Sequence, residues 1–129
     1  MKRSQLKVDH FLRGYLDCAL FTTDDNPPSG CDYVTSGRAS EMYAALPAEF
    51  IEQAKADCLK FQQENEALLE RAGDAEQNGN DFWYDRNGHG VGFWDRGYPD
   101  EVGDALTKAA QRFGEVYLEL EPTEATHDN

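Results

Sequence analysis

Residues 81–96 read DFWYDRNGHGVGFWDR, and they bring two Trp, two Phe, three Asp, two Arg and one His into sixteen positions. Asp81–Arg86 and Val91–Arg96 are aromatic-rich runs of strand length, and Asn87-Gly88 between them is the dipeptide favoured in two-residue hairpin turns. The stretch predicts a β-hairpin. Side chains alternate faces along a strand, so Phe82, Tyr84 and Arg86 oppose Trp83 and Asp85, while Val91, Phe93 and Asp95 oppose Gly92, Trp94 and Arg96. One face must meet the rest of the protein, which leaves an aromatic or charged row for the outside or for a pocket.

The candidate binding residues here are Trp83, Asp85, Arg86, His89, Trp94, Asp95 and Arg96. His89 lies between Gly88 and Gly90 at the expected tip, where it reads first as an exposed turn residue and second as a base or metal ligand. Asp85 and Asp95 would place carboxylates near it. A lone His among carboxylates is a weak metal signal, so neither a metal nor another cofactor is expected. Arg86 and Arg96 have the fork that grips an anion, although in an acidic chain they more often pair with Asp and Glu. No residue is assigned a catalytic role.

Outward from this stretch the period becomes helical. Val8, Leu12, Tyr15 and Ala19 recur with Phe11, Leu16 and Leu20 behind a capping Ser4, which predicts a helix over 5–20. Turn formers at Thr22–Gly30, with Pro27-Pro28, make a surface loop, and a short helical turn is expected after Ser40. Pro47 suits the start of a helix over 48–71 carrying Phe50, Ile51, Ala54, Cys58, Phe61, Asn65, Leu68 and Leu69. Residues 73–80 read as a polar connection. Asp100 opens a helix over 101–113 with Val102, Leu106, Ala109, Ala110 and Phe113 on one stripe, and Glu115–Leu120 alternates like a third strand.

The expected fold is therefore α+β, with three main helices packed on a small antiparallel sheet built around the hairpin. It forms one domain over 1–120, followed by a polar acidic tail at 121–129. Phe11, Leu12, Leu16, Phe50, Ala54, Phe61, Phe82, Phe93, Leu106 and Phe113 are the expected core.

Charge narrows the function. The 129 residues carry a formal net charge of -13, and in residues 24–129 eight basic side chains face 23 acidic ones. Most of those carboxylates lack a partner of opposite sign. Glu64, Glu66, Glu70, Asp74 and Glu76 form the candidate acidic surface. Such a field repels phosphate backbones and draws in basic proteins, so the expected partner is a protein with a basic surface, without direct contact to nucleic acid. No apolar run approaches the ~20 residues that span a bilayer, and no membrane contact is expected. Cys18, Cys31 and Cys58 are odd in number and lack CxxC spacing, which suits buried thiols in a reducing cytoplasm.

Asp81-Phe82-Trp83, Arg86-Asn87-Gly88-His89-Gly90, Gly92-Phe93-Trp94-Asp95-Arg96-Gly97, Leu106-Thr107 and Gly114-Glu115-Val116 together resemble small proteins of unknown function encoded by tailed bacteriophages and prophages. Tyr15-Leu16, Ala19-Leu20, Asp24-Asp25 and Asp57-Cys58-Leu59-Lys60-Phe61 are similar as well. The sequence departs at Tyr84-Asp85, where those proteins more often have Leu-Thr, and at the C-terminus. The resemblance implies a phage origin and no mechanism. With the charge, it favours an accessory protein that binds a host protein in the cytoplasm, in its sharpest form an acidic nucleic-acid mimic that inhibits a host defence or nucleic-acid-handling system. Two alternatives stand beside it: a small enzyme or ligand-binding domain with its site at the RNGHGVGFWDR hairpin, and a structural or assembly protein.

Overall fold

Gly14 and Gly79 let two helices of this chain touch backbone to backbone. A Cβ on Gly14 would overlap the carbonyl of Glu76, and one on Gly79 would overlap the carbonyl of Phe11. The computed structural model describes residues 2–23, 45–89 and 91–120. The helices among these residues are α1 (Lys2–Thr23), α2 (Ala48–Glu64), α3 (Glu66–Glu70), α4 (Ala75–Arg86) and α5 (Asp100–Gln111), with a 3-10 turn at Phe93–Asp95. The glycine contact joins α1 to α4.

Aromatic rings fill the space around that crossing. Phe61 of α2 stacks on Phe82 of α4 with ring centres 4.2 Å apart, and Phe11 and Tyr15 of α1 pack on Phe82 as well. Phe93, from the 3-10 turn, stacks on Phe61, while Phe113 meets both Phe61 and Phe82 edge-on. α5 adds Val102, Leu106, Ala109 and Ala110. Burying Phe-sized side chains in this way supplies roughly 1.5–3 kcal/mol each.

The expected α+β architecture is corrected: among the described residues there is no strand, and the fold is all-helical. Residues 81–86 are the last turns of α4, so the relevant spacing is four rather than two. Asp81 and Asp85 share one face, and Phe82 and Arg86 share another. Asn87-Gly88 is a helix terminus instead of a hairpin turn. Gly88 takes φ +73° while Asn87 stays at -102°, and His89 N–H donates to the Tyr84 carbonyl at 3.0 Å as Gly88 N–H donates to that of Asp85 at 3.3 Å. That pair of bonds is the Schellman closure. Both motifs need a left-handed glycine, so the dipeptide alone does not separate them.

Other boundaries move for local reasons. The expected polar connection at 73–80 is mostly α4, whose first turn is capped by Asp74 accepting from Gln77 N–H at 2.9 Å. Within it Asn78 is buried, and its side chain both accepts from Gly73 N–H and donates to the Gly73 carbonyl. The helix expected over 48–71 divides at Asn65, whose side chain turns back to the Phe61 carbonyl at 2.9 Å. α1 begins at Lys2, which puts Ser4 inside it, and it continues to Thr23. Glu115–Leu120 carries no helix, turn or bend and pairs with no strand among the described residues. Of the expected core, Leu12, Leu16 and Phe113 are half-buried and the other seven are buried. The remainder of the expected loop, the turn after Ser40, Cys31 and the tail at 121–129 lie outside the described residues.

Helix propensity and packing make opposite predictions at the crossing. Ala in place of a helical Gly favours the helix by about 1 kcal/mol, whereas forcing a methyl into a filled contact costs about 1–3 kcal/mol. Because the obstacle is a backbone carbonyl in each case, packing should win. Gly79→Ala and Gly14→Ala are each expected to lower the urea midpoint of unfolding. An unchanged or raised midpoint would place the helices farther apart.

Candidate functional site

Arg86 reaches four parts of the chain from the last turn of α4. Its Nε donates to the Gly114 carbonyl at 2.8 Å and one terminal nitrogen to the Phe113 carbonyl at 3.0 Å. The other terminal nitrogen donates to Tyr15 Oη of α1 at 3.1 Å and to the Asp57 carboxylate of α2 at 2.9 Å. The guanidinium also lies over the rings of Phe82 and Phe113. Burial pushes the Tyr15 phenol well above its ordinary range in spite of Arg86, so it stays a neutral hydroxyl. One side chain thereby fastens α1, α2, α4 and the segment that follows α5.

The carboxylates on the other face of α4 hold the remainder of the 81–96 stretch. Asp81 is buried and takes the guanidinium of Arg96 as a fork, with Nε at 3.1 and 3.2 Å and a terminal nitrogen at 2.7 Å. Burial raises the Asp81 carboxyl, and the Arg96 fork opposes that rise. Asp85 accepts from Phe93 N–H at 2.9 Å and from Thr107 Oγ1 at 3.1 Å, and burial pushes it up to about 6 against those two bonds. Its carboxylate occupies the space a Cβ on Gly92 would take, which is why the chain passes there as glycine with φ +150°. Asn87 completes the set by donating to the Trp83 carbonyl at 2.9 Å and accepting from Val116 N–H at 2.8 Å. Among the described residues no buried side-chain nitrogen or oxygen lacks a partner.

These contacts divide the sequence candidates. Trp83, 3% exposed, donates from Nε1 to Thr22 Oγ1 at 3.0 Å and packs on Tyr15 and Phe50. With Asp85 and Arg86 it is committed to the interior. His89, Trp94 and Asp95 are exposed, Trp94 by 51%, and His89 lays its ring edge-on to Tyr84. The carboxylate of Asp85 turns inward to Phe93 N–H and Thr107 Oγ1, whereas His89 and Asp95 stand exposed. No group of three His, Cys, Asp or Glu placed to hold a metal exists among the described residues. Cys18 and Cys58 are buried and outside any disulfide, and burial raises the Cys58 thiol well away from its reactive thiolate form.

The acidic candidates stand elsewhere, all exposed. Glu66, Glu70 and Asp74 line a groove of about 340 Å3 bounded by α1, the end of α2, α3 and the start of α4. Phe11, Leu59, Leu69 and Ala75 give it apolar walls, and Gln62, Gln63 and Asn78 add amides. Glu64 and Glu76 lie outside its lining. Sequence reading found the carboxylates of this groove and missed its apolar residues. A signal existed in Leu59, which is 41% exposed and falls out of phase with the Phe50, Ala54, Cys58, Phe61 stripe of α2. Tyr15 and Asp57, partners of Arg86, were unreadable because their pairing spans 71 and 29 residues.

Compared with family models, with curated proteins and with solved structures, the chain matches none.

Asp85 gives the site a measurable pH signature. Its folded pKa of about 6 lies above the ordinary ~3.9 of an unfolded Asp, so its contribution to stability is full below ~4 and is lost as pH rises through 6. Asp85→Asn carries no charge at any pH and keeps an oxygen for Phe93 N–H. The variant should therefore gain on the parent by on the order of 2 kcal/mol between pH 4 and pH 7 in urea titrations. A difference that does not change with pH would mean that Asp85 is solvated.

Proposed function

We propose that the chain is a non-enzymatic, phage-encoded accessory protein that holds a basic amphipathic segment of a host protein in the groove of Glu66, Glu70 and Asp74. The observation that carries this reading is the pairing of apolar walls with a carboxylate rim. Phe11, Leu59, Leu69 and Ala75 would take aliphatic side chains, and the three carboxylates would meet flanking Lys or Arg. At about 340 Å3 the groove stands at the lower end of the ~300–1,000 Å3 typical of ligand pockets, enough for anchor side chains of a larger partner.

The charge of the whole chain supports the same direction. A net charge of -13 accelerates encounter with a basic surface and opposes phosphate backbones. No described helix is long and apolar enough to cross a membrane. Phage origin rests on the motif resemblance, and the host cytoplasm is where such a partner would be met. The narrower reading, a nucleic-acid mimic, asks more of the surface than one groove. It requires carboxylates that compete with DNA for the same partner.

The test is titration of the 15N-labelled protein with a peptide of Lys and Leu at helical spacing. Chemical-shift changes should centre on Phe11, Leu59, Leu69 and Ala75, and affinity should fall about tenfold or more between low and moderate salt. Glu66→Gln, Glu70→Gln and Asp74→Asn combined should weaken binding comparably, with the fold retained because Asn still caps α4. Leu59→Ser should weaken it at every salt concentration. Shifts centred on Trp94 and Asp95, or affinity unaffected by these four substitutions, would overturn the reading.

A further inference from the structure

Beyond Gly114, which takes φ +78°, the chain carries no helix, turn or bend over Glu115–Leu120. Exposure alternates along it. Val116 and Leu120 are half-buried and Leu118 is buried, while Glu115, Tyr117 and Glu119 point outward, Tyr117 with 93% of its surface exposed. This is the period of a strand, held in place by its apolar side. Among the described residues the segment is pinned through the backbone at one end, by Val116 N–H donating to Asn87 Oδ1. Among the described residues no backbone hydrogen bond involves Tyr117, Leu118, Glu119 or Leu120.

In an extended chain the N–H and C=O of one residue point to one edge, and those of the next residue to the opposite edge. Since Val116 N–H faces Asn87, Tyr117 and Glu119 direct their N–H and C=O to the far edge. We propose that this edge of residues 115–120 is a docking strand, and that its occupant is an extended, basic segment of another protein that adds to it as a neighbouring strand. This surface is independent of the groove at Glu66, Glu70 and Asp74.

Charge selects the occupant. A second copy paired antiparallel about Tyr117 would set Glu115 opposite Glu119 twice, and like charges directly opposite are unfavourable. A partner strand with Lys or Arg four positions apart and a β-branched or aromatic residue midway would face Glu115, Tyr117 and Glu119 in turn. Glu49 and Gln53 of α2 line the same shallow depression of about 680 Å3 with Val116–Leu120, adding another carboxylate and an amide beside the strand. Val116, Leu118 and Leu120 are already packed on the core, so a peptide would order little more of this chain on binding.

The probe is a capped peptide Lys-Thr-Val-Thr-Lys, titrated into the full 15N-labelled chain. Amide hydrogen exchange at Tyr117 and Glu119 should slow more than at Leu118 and Leu120, since of these four only the former face the far edge. Backbone N-methylation of the peptide at its ladder positions should weaken binding tenfold or more, and Glu115→Gln with Glu119→Gln should weaken it severalfold without altering the thermal midpoint. Equal slowing at all four amides, tolerance of N-methylation, or binding mapped to Leu59 and Glu66 would overturn the proposal. So would a concentration-dependent dimer, seen by sedimentation without peptide, that Glu115→Gln and Glu119→Gln strengthen, since a second copy would then be the occupant of the edge.

Discussion

The buried guanidinium of Arg86 is the constraint on which the rest of this fold depends. Four of its hydrogen bonds end on α1, α2 and the two residues before the C-terminal segment, so the ends of otherwise separate elements meet at one planar group. A buried cation is unfavourable unless paired and fully bonded, and Asp57 with three further oxygens meets that condition. The aromatic rings then pack around a fixed centre. Lys would retain the charge and lose the planar fork that lets one side chain bind in four directions.

Asp81 and Asp85 do for the stretch after α4 what Arg86 does for the helices. Together they bind Arg96, Phe93 N–H and Thr107, which draws residues 92–96 back onto the helix that precedes them and seats Phe93 in the core. The residues densest in functional chemistry are thus largely consumed in holding the chain together. Among the described residues, what stays accessible is chemically plainer and includes an acid-rimmed apolar groove, the acidic segment at 115–120 and the exposed ring of Trp94.

The helices with clean apolar stripes, α1 and α5, were readable from sequence to within three residues, and so were the start of α2 and most of the core, whereas the break at Asn65 was not. α4 was not. It is buried on several sides, so its inward positions include Asn78, Gly79, Asp81, Asp85 and Arg86 as well as Phe82 and Trp83, and no apolar stripe marks it. Gly79 lowers local helix propensity and is needed for the approach of α1, a tertiary requirement that nothing nearby in sequence reveals. Asn87-Gly88 then supplied a turn signal shared by hairpins and helix ends. The acidic half of the candidate groove was legible as a run of carboxylates between 64 and 76. Its walls were not, since Phe11 and Ala75 come together only after α1 and α4 have crossed.

The most direct measurement of the tie between the helices is a double-mutant cycle on Arg86 and Asp57, using Arg86→Gln, Asp57→Asn and the pair, followed by urea unfolding at pH 7. Residues 29 apart in sequence and joined by a 2.9 Å buried ion pair should show a coupling energy of about 1.5 kcal/mol or more. Additive effects, with a coupling below about 0.5 kcal/mol, would mean that Arg86 does not fasten α2 to α4 and would contradict the assembly described.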